Sequence, residues 1–276
     1  MNSLQLSCPA KLNLKLEVLG KRNDGMHEIK TQFQLINLFD EISINKTSRK
    51  SLSVKTNLGA SIEGENNIVF DAIKSLSDYA GEELYCDVEI IKNIPLGGGL
   101  GGGSSNAAAA LIGTNFLFKL GVSYPELMKI AETLGADVPF FVFGKNAYAS
   151  GVGEKLVEDT KYSNTKYLLL FPQIHSSTKD LFSKWDELNK DLQKSIVLEE
   201  ENSFLPIFLE QNQEIKKVFN ELNEDNSFKL SGTGSTIFCA YNDQSKVEKI
   251  LKKIPTNWRH SFCKPLQCSP LLTYIT

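Results

Sequence analysis

Residues 95–105 read PLGGGLGGGSS, six glycines followed by two serines. A backbone bare of Cβ atoms lets successive N–H groups converge on anionic oxygens, and phosphate is the ligand that such a segment suits. The segment leads into an Ala- and Leu-rich stretch, so it opens a helix whose first N–H groups and dipole add to the attraction. Ser104 and Ser105 offer hydroxyls to a phosphate or to Mg²⁺, and a plain N-cap would not require the glycines before them. Two familiar loops fit less well. The pattern GxxxxGK[ST] needs a lysine after the glycines, and none is present. Gly97, Gly99 and Gly102 satisfy GxGxxG, yet the acidic residue expected about 20 residues on, at the end of a strand, falls near Val122, next to a helix start.

A second group is smaller. In residues 9–14, PAKLNL, Lys11 and Asn13 stand two apart on an expected strand and share one face, with Leu12 and Leu14 on the other. Asp137, within LGADVPF at 134–140, stands before Val-Pro and suits an N-cap for a following helix. The three histidines, His27, His175 and His260, lack metal-ligand spacing. The five cysteines form no CxxC pair, so buried reduced thiols are expected rather than disulfides or a zinc site.

These residues need a scaffold. Partial alternation predicts a strand over 4–18, broken at Pro9, another over 33–44, and one over 86–94 that runs directly into the glycines. Helical spacing marks 68–79 and 106–120, the latter stopping at Gly121. Ser123 and Glu126 have capping-box spacing, with Pro125 in the first turn and Gly135 at the end, which sets Asp137 just past a helix. Strands at 167–171 and 236–241, helices near 179–192, 212–222 and 244–253, and a strand near the C-terminus complete a second, smaller unit.

At 276 residues the chain is long enough for two domains, on a scale of about 150 residues each. Its 41% hydrophobic and 23% charged residues are those of a globular protein. A net charge of −3 provides no broad cationic surface for nucleic acid, and groups such as Lys46, Arg49 and Lys50 read as solvated surface. Neither a signal sequence nor a run of about 20 apolar residues is expected, so the expected location is the cytoplasm.

Residues 9–14, 95–108 and 230–238 (LSGTGSTIF) resemble, in order and position, the three signature segments of the GHMP small-molecule kinase superfamily. The resemblance implies an α+β, two-lobed fold: an N-terminal ATP-binding α/β lobe over 1–157 and a smaller C-terminal α+β lobe over 158–276. Residues 24–27 (DGMH), the segment around Asp137, and residues 151–154 (GVGE) narrow it to the branch acting on 4-diphosphocytidyl-2-C-methyl-D-erythritol, in the non-mevalonate route to isoprenoids. The implied reaction is transfer of the ATP γ-phosphoryl group to the 2-hydroxyl of that alcohol. Asp137 matches the family's catalytic base and Lys11 its partner. ATP is implied to lie on Pro95, Leu96, Gly97, Gly98, Gly99, Leu100, Gly101, Gly102, Gly103, Ser104 and Ser105, with Asn67 and the backbone near Lys92 along the adenosine. Mg²⁺ is expected, with Ser104 or Ser105 as a ligand. Asn13, Met26, His27, Thr178 and Phe182 are expected to face the alcohol, His27 at the cytosine edge. Two residues depart from the pattern: Met26 stands where a stacking tyrosine is common, and Ser183 where a basic residue is common. Kinases of mevalonate, homoserine or sugars, a non-catalytic nucleotide-binding module, and a Rossmann oxidoreductase are the competing readings.

Overall fold

The computed structural model describes residues 1–161, 164–190, 201–224 and 226–275. Two long strands dominate its first half, β1 (Ser3–Lys21) and β2 (His27–Lys46), paired antiparallel along nearly their whole length. Around β2 the sheet grows to six strands with β3 (Ser53–Thr56), β4 (Cys86–Ile91), β5 (Ala147–Gly151) and β6 (Lys155–Glu158), in the order β3-β4-β2-β5-β6 with β1 also on β2. One face of this sheet carries α1 (Ile68–Ala80), α2 (Gly102–Phe118), α3 (Tyr124–Leu134) and α4 (Val138–Phe143) over a shared core. From Ser105 to Leu117 nearly every residue of α2 is buried, which its Ala-rich composition permits by letting neighbours approach on every side.

The second sheet has the order β10-β7-β9-β8, formed by β7 (Lys166–Phe171), β8 (Lys229–Leu230), β9 (Ile237–Tyr241) and β10 (Arg259–Cys263). It is accompanied by α5 (Thr178–Leu188), α6 (Leu205–Gln211), α7 (Gln213–Asn223) and α8 (Gln244–Lys253). Strand β7 is apolar on both faces because both are covered. Leu168 and Leu170 enter the core of the second lobe, while Tyr167, Leu169 and Phe171 pack with Ala10, Leu12, Ile94 and Leu100 between the lobes. The chain then returns to the first sheet: Pro265 bridges to Ile36, Cys268 to Lys145, and Leu271 joins the first core. No helix among the described residues is long and apolar enough to cross a membrane.

Several expectations are corrected. Pro9 does not break the first strand; pairing continues through it with a register shift between Pro9 and Ala10. With further register shifts at Asn13/Lys15 and Val18/Gly20, this one strand serves three cores, Leu4 to Cys8 in the first, Ala10 and Leu12 between the lobes, Leu16 and Val18 in the second. Strand β4 stops at Ile91 rather than 94, because the Asp40 carboxylate captures the N–H groups of Asn93 and Ile94. Helix α2 starts four residues early, taking two loop glycines into its first turn, and ends at Phe118 with Lys119 in the left-handed conformation. Helix α5 ends at Leu188, and residues 191 and 192 of the helix expected there lie outside the described residues. The capping box of α3 is present as read, and α8 spans the residues expected of it. Cys8, Cys86, Cys239 and Cys263 are buried, whereas Cys268 is exposed. Burial pushes the Cys86 and Cys239 thiols up to about 12 and Cys263 to about 11, so all three stay protonated near neutrality.

Candidate active site

Residues 95–104 line a concavity of about 260 Å³ together with Ile68 and Lys92, and Gly97, Gly99, Gly101 and Ser104 also line a cleft of about 320 Å³ that lies between the lobes. Gly101 is the N-cap of α2 at φ 70°, and no side chain caps that helix. Ser104 and Ser105 therefore sit inside the first turn, and the leading N–H groups stay available to an anion. A Cβ on Gly101 would lie 2.7 Å from the Phe141 ring and 3.2 Å from Lys11 Cε, so glycine is needed here for space as well as for conformation.

Residues 230–236 form a turn that closes on the glycine loop. Ser231 Oγ donates to the Gly99 carbonyl at 3.0 Å, Ser235 N to the Gly97 carbonyl at 3.3 Å, and Thr236 N to the Gly98 carbonyl at 3.2 Å. A Cβ on Gly99 would collide with the Ser231 carbonyl. Gly232, Thr233 and Gly234 thereby reach the cleft wall, as do Ser176, Val152 and Phe204. None of these was assigned a role from the sequence, although the LSGTGS string was the available signal for the first three.

Lys11 and Asn13 point into the cleft from β1 while Leu12 is buried on the other side, as the two-residue period predicts. Lys11 is 3% exposed, far from the usual surface lysine. Its Nζ donates to Asn13 Oδ1 at 2.5 Å, lies 3.4 Å from Asp137 Oδ2, and stands 5.3 Å from the centroid of the Phe33 ring. Asp137 occupies the N-cap position of α4, yet its side chain makes no cap hydrogen bond. The carboxylate faces Lys11 and the cleft instead, with a third of its side chain exposed. The turn at 151–154 packs alongside: Glu154 accepts from Val152 N at 2.6 Å, and Gly153 lies close to the Ala136 carbonyl.

The remaining expected residues divide. Thr178 and Phe182 line the cleft, and Thr178 Oγ1 is 2.9 Å from Thr233 Oγ1. His27 stands behind Phe182, ring centroids 4.5 Å apart, with Nε2 bonded to Asp186 at 2.7 Å. Burial would raise the Asp186 carboxyl, but the hydrogen bonds from Lys21 and His27 outweigh it and hold the group below the usual carboxylate range. Met26 is half exposed and does not line the cleft. Asn67 spends its side chain on its own neighbours, accepting from Val69 N to cap α1 and donating to the Ile62 carbonyl. Lys92 lines the smaller concavity with the glycine loop, and its ammonium is paired with Asp40 and donates to Asn106 Oδ1.

For a divalent cation the donor set is sparse. Among the described residues no three His, Cys, Asp or Glu side chains converge. That composition fits a Mg²⁺ held chiefly by a nucleotide's phosphates and water rather than by a protein cage. Ser104 opens on both concavities, whereas the Ser105 hydroxyl is buried without a hydrogen-bond partner.

Models of the GHMP kinases N terminal domain and of the GHMP kinases C terminal domain match residues 67–145 and 173–260. A 4-diphosphocytidyl-2-C-methyl-D-erythritol kinase of Haemophilus ducreyi is 35% identical over 98% of this chain and 97% of its own length. One from Marinomonas sp. is 34% identical over 98% and 90%. A crystal structure of 4-(cytidine 5'-diphospho)-2C-methyl-D-erythritol kinase superposes with a TM-score of 0.78 at 28% identity, covering 95% of this chain and 99% of that one. The mevalonate kinase of Methanococcus jannaschii, at 17% identity and a TM-score of 0.69, shares the fold. With identity sustained over nearly full length and the two-lobed architecture in common, the chain belongs to the 4-diphosphocytidyl-2-C-methyl-D-erythritol kinase family of the GHMP kinases.

Proposed function

We propose that this chain transfers the γ-phosphoryl group of ATP to the 2-hydroxyl of 4-diphosphocytidyl-2-C-methyl-D-erythritol, a step of non-mevalonate isoprenoid biosynthesis. The observation that carries the mechanism is Asp137: its carboxylate leaves its own helix uncapped and faces the buried Lys11 ammonium at 3.4 Å, in the cleft that the glycine loop also lines.

A neutral alcohol is a weak nucleophile, and a carboxylate within hydrogen-bond reach of its proton acts as general base. In this reading Asp137 takes that proton as the 2-oxygen bonds to the γ-phosphorus and the bond to the β,γ-bridging oxygen breaks, releasing ADP. Lys11 pairs with that carboxylate and offsets charge on the transferring group. The loop N–H groups hold the phosphates, and positioning supplies most of the acceleration, so a modest base suffices. Magnesium, when bound, neutralises the phosphate oxygens, and Ser104 is the hydroxyl best placed to join its ligands. Asn13, Thr178 and Phe182 hold the alcohol, with His27 and Met26 on its cytidine side. Asn67 and Lys92 border the adenosine through backbone atoms. A cytoplasmic setting and a division of the lobes at 157/158 belong to the same reading; the last strand of the first sheet ends one residue past that division, at Glu158, the second sheet begins at Lys166, and the segment from Pro265 to Leu271 packs back on the first lobe.

The test offers ATP and, in turn, the cytidylylated alcohol, mevalonate, homoserine and a hexose, with products read by mass spectrometry. The expected outcome is one added phosphate on the cytidylylated alcohol alone. Preferential phosphorylation of any other acceptor contradicts the substrate assignment.

A further inference from the structure

From Lys11 and Asn13 in the cleft wall a buried chain of hydrogen bonds runs back to Thr31, a residue the roles above leave unused. Lys11, Asn13 and Thr31 are all almost completely buried. Lys11 Nζ donates to Asn13 Oδ1, Asn13 Nδ2 donates to Thr31 Oγ1 at 2.8 Å, and Thr31 Oγ1 donates to the Lys15 carbonyl at 2.6 Å.

Bonding capacity fixes the direction of every link. A hydroxyl has one proton, and a carbonyl can only accept, so Thr31 commits its proton to Lys15 and presents lone pairs to Asn13. An ammonium can only donate, so Asn13 must turn its oxygen toward Lys11. Both ends demand the same amide orientation.

The Lys15 carbonyl is in reach because β1 bulges here. Pairing runs to Asn13↔Phe33 and resumes at Lys15↔Gln32, with Leu14 as the extra residue. A single hydroxyl thus satisfies the bulge and orients the amide beside it.

We propose that Thr31 is a positioning residue for the phosphoryl transfer: its hydroxyl fixes the Asn13 amide and, through it, holds the Lys11 ammonium at its station beside Asp137. The inference rests on the reading of Lys11 and Asp137 given above. Without the hydroxyl, the nearly buried Asn13 Nδ2 loses its acceptor, and the amide turns to find another. Lys11 then loses Oδ1 and shifts. Small misplacements of a reacting group lower turnover even when substrates still bind.

The test is a double-mutant cycle in the full-length enzyme. Thr31→Val is expected to lower kcat roughly tenfold and leave the KM for ATP unchanged, and Thr31→Ser to restore kcat. Thr31→Val added to Asn13→Ala should cost nothing further, because the amide through which Thr31 acts is already gone. Wild-type kcat in Thr31→Val, a loss confined to the KM for ATP, no rescue by serine, or full additivity with Asn13→Ala overturns the proposal. Should the valine variant fail to fold, Thr31→Ala enters the same cycle with the same criteria. Lys11→Met separates the two levels: retained turnover there removes the catalytic reading and the proposal with it, whereas an inactive Lys11→Met alongside full additivity removes Thr31 alone.

Discussion

Two lysine–carboxylate pairs flank the glycine loop, and they are built in opposite ways. Asp40 is fully buried, pairs with Lys92 through one oxygen, and accepts the N–H groups of Asn93 and Ile94 through the other, at 2.7 and 2.8 Å. Lys92 also reaches Asn106 in α2, so this pair ties together the chain entering the loop and the helix leaving it. Asp137 meets its lysine at 3.4 Å, leaves its helix uncapped, and keeps a third of its side chain open to the cleft. Where bonding capacity is spent, the pair holds structure; where it is left over beside a cleft, the pair is free to do chemistry.

The largest effect expected from this contrast is on folding. Asp40→Asn leaves a buried ammonium without its counter-charge, a loss of about 3–5 kcal/mol, so thermal or denaturant unfolding should show marked destabilisation while kcat per folded molecule changes little. A variant that kept its stability but lost turnover would erase the distinction between the pairs. Gly101→Val acts on the loop between them: a branched side chain at φ 70° meets Phe141 and Lys11. Steady-state kinetics should show a KM for ATP raised about tenfold or more, on the 1–3 kcal/mol scale of overpacking, and an unchanged KM would place the nucleotide elsewhere.

The smallest effect concerns a carboxylate remote from both pairs. Hydrogen bonds from the Ser123 hydroxyl, Tyr79 and the Ser123 backbone lower Glu126 to about 2. Because the folded value lies below the unfolded one, its contribution is fully present above about pH 4.5 and is lost as pH falls toward 2. Unfolding curves of Glu126→Gln and the parent should therefore differ slightly at neutral pH and converge in acid; an unvarying gap would contradict the capping account.

Local chemistry was legible in the sequence and long-range chemistry was not. The capping box at Ser123 and Glu126 is contained in four residues, and the shared face of Lys11 and Asn13 follows from strand periodicity alone. The Ser231 hydroxyl that closes on Gly99 comes from 132 residues away, and Asp40 captures Asn93 across 53. No period or spacing reports such pairings, so the end of β4 and the closing of the 230–236 turn on the glycine loop were missed. Asn67 shows the converse: a residue matched by resemblance turned out to cap α1 with its side chain, which an Asn directly before a helical run could have signalled.

The most direct measurement is the kinetics of Asp137→Asn with ATP and the cytidylylated alcohol. The amide keeps the shape of the carboxylate but accepts no proton, so kcat should fall by about 10²-fold or more, with the KM for ATP and the melting temperature nearly unchanged. Turnover equal to that of the parent would show that Asp137 is not the base.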